Sequence, residues 1–162
     1  TDPDMFRVVE DYGAAMVIGH MRGMPQTMQE DISFTDVVEE VRHELMSAVA
    51  RAIDAGIPKV RIILDPGIGF GKTAAQCAAL IGQSGELSRT TGLPVLVGPS
   101  NKSFIGHLTG AAVGDRLAGT VVSSLLATMS GTQIVRVHNV AALVQALTIA
   151  DAILPTMGLC SG

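Results

Sequence analysis

V-R-I-I-L-D-P-G-I-G-F-G-K-T, residues 60–73, is the stretch that decides the fold. Residues 60–64 are mostly apolar and largely β-branched, which predicts a buried parallel strand. Pro66 ends it, because proline has no N–H to give to a sheet ladder. Gly67, Gly69 and Gly71 follow at alternate positions. They allow positive φ and let the backbone come close to a ligand. Thr73 with Gln76 three residues on is a capping-box pattern that opens a helix. Asp65 is therefore predicted to be a carboxylate at the C-terminal tip of a strand, facing a glycine-rich turn. In parallel α/β folds ligands bind at that end.

Two phosphate-binding motifs come near this stretch and fail on spacing. Gly71-Lys72-Thr73 matches the end of G-x-x-x-x-G-K-[ST], but the first glycine would fall on Pro66. In the dinucleotide pattern G-x-G-x-x-G the third glycine comes one residue too early.

The chain of 162 residues is long enough for one domain or part of one. With 48% apolar residues and a mean hydropathy of +0.41, it can build a core, and disorder is not expected. A net charge of -4 with no basic tract argues against a nucleic-acid partner. Cys77 and Cys160 show neither metal nor disulfide spacing, so a reducing, cytoplasmic setting is expected. No signal peptide is read. The apolar stretch 117–129 is interrupted by Gly119, Thr120, Ser123 and Ser124, too short and polar to span a bilayer, so no membrane partner is expected.

Outward from the opening stretch, the same alternation repeats. Asp2 and Pro3 suit the start of a short helix with Met5, Val8 and Val9 on its apolar face, ended by Gly13. A strand over 14–19 leads into His20-Met21, then a polar loop over 22–33. Thr35 or Asp36 caps a long helix, with Glu39 in capping-box register to Asp36, burying Val38, Val41, Leu45, Val49 and Ile53. After residues 60–73, a helix over 73–91 carries Gly82 and Gly85, with Gly92 as its C-cap. A strand over 94–98 ends in Ser100-Asn101-Lys102-Ser103. A helix from Lys102 breaks near Gly110 and resumes over 115–129. The fourth strand, 133–137, ends in Arg136-Val137-His138. A last helix, capped by Asn139, packs Val140, Leu143, Val144, Leu147 and Ile153. We expect one domain over 1–154 and a frayed tail over 155–162.

This is an α/β fold of parallel (β/α) units, each roughly 40 residues long. The pattern fits a doubly wound sheet or part of a (β/α)₈ barrel; a full barrel takes about 250 residues, and four strands are half of one. Each strand ends in polar chemistry, and parallel strands share one C-terminal face, so His20, Met21, Asp65, Ser100, Lys102, Arg136 and His138 converge there. Met21 and His20 taken singly read as packing residues. Lys102 is unusual at a helix start, where the dipole disfavours cations. Arg136 and His138, two apart on a strand, point to the same side and suit an anion.

The quoted tips resemble dihydropteroate synthases. The matching pieces are H-M-R-G-M-P-Q-T-M-Q (20–29), L-D-P-G-I-G-F-G-K-T (64–73), V-G-P-S-N-K-S-F-I-G (97–106), R-L-A-G-T (116–120) and R-V-H-N-V (136–140). They occur in family order over nearly the whole chain. The resemblance is to the C-terminal half of that family's TIM-type barrel. It implies condensation of 6-hydroxymethyl-7,8-dihydropterin pyrophosphate with p-aminobenzoate to 7,8-dihydropteroate, in folate biosynthesis. Carried over, Asp65 hydrogen-bonds the guanidine-like edge of the pterin, Lys102 its carbonyl side, and Met21 packs on the ring. Arg136 stacks on the pterin and, with His138, holds the pyrophosphate. Phe70 and Ser103 line the aminobenzoate subsite, and Gly69 belongs to the floor beneath the substrates. The implied mechanism is dissociative and uses no protein nucleophile, so no catalytic residue is assigned. Mg²⁺ is the implied cofactor, with its asparagine ligand expected from an N-terminal half outside these residues, and no metal ligand is assigned here. A homodimer is implied for the full enzyme, and the isolated chain is expected to be inactive.

Three departures stand against the family pattern: Asn101 where S-R-K is usual, Asn139 where R-V-H-D is usual, and Cys77 where many members have asparagine. Asn139 exchanges one N-cap for another. Asn101 removes a basic residue beside the aminobenzoate subsite. The rival readings are a pterin-dependent methyltransferase, and a non-catalytic half-barrel that binds pterin or dimerises.

Overall fold

Alternating apolar runs and amphipathic stretches give α1 (Asp4–Asp11), β1 (Met16–Gly19), α2 (Val37–Asp54), β2 (Ile62–Asp65), α3 (Ala74–Gly82) and α4 (Ser84–Thr91). They continue as β3 (Leu96–Val97), α5 (Ser103–Thr109), α6 (Leu117–Ser130), β4 (Ile134–Val135) and α7 (Val140–Ile153). A computed structural model describes residues 4–30 and 32–157. The expected cap Asp2, with Pro3, and residues 158–162 of the expected tail lie outside the described residues. So does Cys160.

All strand pairing is parallel. β1 pairs with β2 and β3 with β4, and among the described residues a single bridge, Leu64 to Val95, joins the two pairs. The strands therefore run side by side in chain order, as short right-handed βα units require. The register puts Val17 beside Ile63, Gly19 beside Asp65, and Leu96 beside Ile134. Side chains alternate across a strand, so Ile18, Ile62, Leu64, Val95 and Val97 face one way. These are buried in the core with Val41, Leu45 and Val49 of α2, Ile57, Ile68, and Leu80 and Ile81 of α3. Val17, Gly19, Ile63, Asp65 and Leu96 face the other way, where Val17 is 47% exposed. The helices cover one face of the strands, and the candidate site lies at the tips on the other.

Several local expectations hold. Asp36 caps α2 through the N–H groups of Val38 and Glu39, Thr73 and Gln76 close a capping box on α3, and Asn139 Oδ1 accepts from Ala142 N at 3.0 Å.

Others are corrected. Val60 is not in the strand: Lys59–Arg61 is a 3₁₀ turn closed by Arg61 N donating to Pro58 O, and Val60 is 93% exposed. A β-branched run fits a strand only where a core lies behind it, and here that begins at Ile62. Glu39 does not close the cap of α2; it pairs with Arg42, and Glu40 accepts from the N–H groups of Thr35 and Asp36. The buried face of α2 turns to Ala52 at its end, leaving Ile53 exposed. In α1, Phe6 and Val9 meet the core while Met5 and Val8 stay exposed.

The helix expected over 73–91 divides at Gln83 into α3 and α4. Gly85 opens the second piece because no larger residue fits: a Cβ there would lie 1.6 Å from the Ser130 carbonyl oxygen.

Of the residues expected to pack from α7, only Leu143 is fully buried, joined by Ala150; Val140, Val144 and Ile153 are exposed. A periodic stripe finds a core only if something covers it, and α7 rests mainly on α6. By length and composition alone, residues 140–157 could also cross a membrane, with a mean hydropathy of 1.6. Their place directly after β4 and their contact with α6 make them the outer helix of a βα unit.

Candidate functional site

Asp65 is the last residue of β2, half-buried on the open face. Its Oδ1 accepts the Gly67 N–H at 2.7 Å, and among the described residues its other oxygen makes no hydrogen bond. Burial raises its pKa above the ordinary carboxylate value, against the Gly67 N–H and the nearby charges of Arg136, Lys102 and Lys72. The carboxylate is therefore ringed by donors but not consumed by them.

The glycine turn is shaped by contact with β1. Gly67 has φ +69, and a Cβ there would lie 1.8 Å from the His20 carbonyl oxygen. Only glycine allows both this conformation and this approach. The His20 N–H continues the ladder to Asp65 O at 2.9 Å, which sets Met21, 45% exposed, just past the end of β1. Gln29 Nε2 donates to Gly69 O at 2.9 Å, tying the polar loop to the turn.

Lys102 precedes α5, and its ammonium lies 3.8 Å from the centroid of the Phe70 ring. Its stem passes Gly69, where a Cβ would sit 3.3 Å away. Burial lowers its pKa, helped by Arg136 and opposed by Asp65 and Cys77. Arg136 follows β4, and its N–H donates to Val97 O at 3.0 Å. Its guanidinium lies over Gly98, where a Cβ would come within 2.9 Å. It is exposed and makes no ion pair among the described residues. His138 is held by the buried Ser100, whose hydroxyl lies 2.8 Å from Nδ1 and accepts the His138 N–H at 3.2 Å.

Asp65, Gly69, Phe70, Lys102 and Arg136 thus form one cluster. Met21 and His138 lie at its two ends. Ser103 is exposed at the start of the seven-residue α5, and no side-chain contact ties it to the others among the described residues. Asn101 sits in left-handed backbone at φ 56. Its N–H donates to Thr120 Oγ1, and its carbonyl accepts from Arg116.

A second group was not legible in the sequence. Lys72 is 4% exposed, and its ammonium reaches Gly67 O, Phe70 O and His20 Nδ1 at 3.1, 3.0 and 2.9 Å. His20 Nε2 lies 3.0 Å from Glu44 of α2, and Arg22 contacts both Glu40 and Glu44. The signals were a lysine in the decisive stretch that fits no phosphate motif, and His20, which taken singly reads as a structural histidine.

Residues 1–138 match the family described as pterin binding enzyme. The dihydropteroate synthase of Escherichia coli K12 is 36% identical over 95% of this chain and 54% of its own length. The Yersinia pestis dihydropteroate synthase, solved in complex with a sulfonamide drug, superposes with a TM-score of 0.90 at 33% identity, over 96% of this chain and 57% of that one. The Xanthomonas albilineans enzyme, solved with 7,8-dihydropteroate, gives a TM-score of 0.84 at 39% identity, over 94% and 55%. The chain spans about half the length of the curated relatives it matches.

Proposed function

The chain belongs to the pterin binding enzyme family, and on that premise we propose that it carries the C-terminal part of a dihydropteroate synthase site. The reaction joins 6-hydroxymethyl-7,8-dihydropterin pyrophosphate to p-aminobenzoate and yields 7,8-dihydropteroate and pyrophosphate. The solved relative that holds 7,8-dihydropteroate supports this choice of product. Four parallel strands side by side in chain order are what half of an eight-stranded barrel supplies, with residues 1–154 as its domain and 155–162 as a tail.

The observation that carries the reading is the Asp65 carboxylate at a strand tip, with one oxygen free and Lys102 and Arg136 beside it. An ionised carboxylate accepts two N–H groups at once, as the amide and amine edge of a pterin offers them. Lys102 then donates to the pterin carbonyl, and Met21 packs on the ring. Arg136 and His138 bind the pyrophosphate, and the Ser100 hydroxyl orients His138. Phe70, Gly69 and Ser103 line the aminobenzoate side. The C–O bond to pyrophosphate breaks with both electrons leaving on oxygen. The aniline nitrogen attacks the resulting pterin methylene cation and then loses a proton. The chain's residues stabilise the departing charge and hold the two rings in line, so the barrier falls by electrostatics and positioning.

Magnesium belongs to this reading as an ion bound elsewhere in the barrel. Among the described residues no three His, Cys, Asp or Glu side chains cluster to hold a metal, and no step here runs through it. A homodimer and a cytoplasmic setting complete the proposal; the dimer is supported by the apolar groove between α6 and α7, lined by Leu117, Val121, Val122 and Ile149.

The test is a titration of the protein with 6-hydroxymethyl-7,8-dihydropterin pyrophosphate, with and without Asp65→Asn. Losing a charge-assisted pair weakens binding roughly tenfold or more. Affinity unchanged by the substitution removes Asp65 from the site and overturns the reading.

A further inference from the structure

The geometry points to Lys72 as a positioning residue for the pterin floor, acting through the glycine turn and touching no ligand. The inference rests on the Asp65 reading above and deepens it.

An ammonium has three N–H donors, and Lys72 has three acceptors: Gly67 O, Phe70 O and His20 Nδ1. At 4% exposure it has neither room nor a spare donor for a substrate. Two of its acceptors are carbonyls of the turn that follows Asp65. Gly67 supplies the N–H that fixes Asp65 Oδ1, and Phe70 carries the ring beneath Lys102. Lys72 thus holds, from behind, the backbone of the two residues that orient the site.

The third acceptor makes the clamp specific. His20 can receive a proton at Nδ1 only as the neutral tautomer with its hydrogen on Nε2. Glu44 Oε2, 3.0 Å from Nε2, selects that tautomer. Burial, with the Lys72 charge adding to it, keeps His20 neutral by lowering its pKa to about 4. A protonated His20 would point a donor at a donor. The relay therefore runs from Glu44 on α2, through His20 after β1, to Lys72 and the turn after β2. It crosses three elements that meet only in the folded protein. The groups facing the ammonium are Cys77 from α3, Asp65 from β2, Arg22 and Glu44, with His20 itself.

The experiment measures the dissociation constant of 6-hydroxymethyl-7,8-dihydropterin pyrophosphate from about pH 6 to 9.5, in the unsubstituted protein, Lys72→Met, Lys72→Gln and Glu44→Leu. Lys72→Met keeps the apolar stem, leaves Phe70 O without the ammonium and Gly67 O with only the Phe70 N–H, so pterin affinity falls about tenfold. Lys72→Gln restores part of the donation and recovers part of the affinity. Burial lowers the Lys72 pKa to about 8, so affinity of the unsubstituted protein declines as pH rises through about 8. That limb is missing from Lys72→Met; a merely structural lysine would not remove it.

If Lys72→Met fails to fold, Glu44→Leu, which removes the acceptor for His20 Nε2–H, decides: a loss of about threefold or more supports the relay, and affinity within about twofold overturns it. A folded Lys72→Met that binds within about twofold of the unsubstituted protein, or keeps the alkaline limb at full amplitude, also overturns it. An unsubstituted protein that does not bind the pterin at all, or binds it equally as Asp65→Asn, overturns the site reading and the relay with it.

Discussion

Acid should destabilise this protein through His20. The ring is 5% exposed, and burial, with the Lys72 ammonium beside it, lowers its pKa from 6.5 to about 4, against the opposing pull of Glu44. In the unfolded chain His20 titrates at its ordinary value. Between those two values the unfolded state binds more protons than the folded one. Stability is therefore fully present above pH 6.5 and is lost as pH falls towards 4. The difference corresponds to about 3 kcal/mol, a large share of the roughly 5–15 kcal/mol that holds a domain together. Glu44 acts in the same direction at lower pH. Burial tends to raise its pKa, but the hydrogen bond from Arg22 and the His20 charge lower it overall. The assay is urea unfolding followed by circular dichroism at pH 7, 6, 5 and 4, on the protein and on His20→Gln. The variant loses stability at pH 7, since Lys72 and Glu44 each lose a partner, so the slope with pH is what is read. Stability should fall by about 3 kcal/mol less between pH 7 and 4 in His20→Gln. An equal slope in the two proteins would refute the assignment of a buried neutral histidine.

Gly85→Ala, a change that ordinarily strengthens a helix by about 1 kcal/mol, should here cost about 1–3 kcal/mol or more, because the new Cβ would meet the Ser130 carbonyl oxygen at 1.6 Å. A thermal melt at or above that of the unsubstituted protein would refute it. Val122→Glu puts a charge in the apolar groove between α6 and α7; light scattering should show a dimer become a monomer. A dimer that survives the change, or an unsubstituted protein that is already monomeric, removes that face as the interface.

Much of the fold was legible because it is written locally. Asp36, Thr73 with Gln76, and Asn139 cap helices through contacts within three residues, which a spacing rule can see. The strand tips were legible for a related reason: Asp65, Lys102 and Arg136 each follow an apolar run, and parallel topology brings such ends together whatever the distance in sequence. What failed was burial that depends on a neighbour. Val60 belongs to a β-branched run but has nothing behind it, and the apolar face of α7 has only α6 against it. Gly85 read as a weak helix position when it is a close approach of its backbone to that of Ser130, 45 residues on in sequence.

The two lysines of the site show why residue type and motif position could not assign roles alone. Lys72 and Lys102 both stand beside the same glycine turn, and both have pKa values lowered first by burial. Lys72 lies in the more suggestive motif, one step from a phosphate-binding pattern. Its three donors are nonetheless filled by two backbone carbonyls and an imidazole, and an ammonium with no donor left cannot recognise a ligand. Lys102, in a polar run that matches no catalytic pattern by itself, makes no side-chain hydrogen bond among the described residues and rests only on the Phe70 ring. Its three N–H groups make no hydrogen bond among the described residues, and its charge lies near Asp65. Hydrogen-bond saturation therefore separates the lysine proposed to build the floor from the lysine proposed to meet the substrate, and it does so from a count of donors and acceptors that only the folded chain supplies.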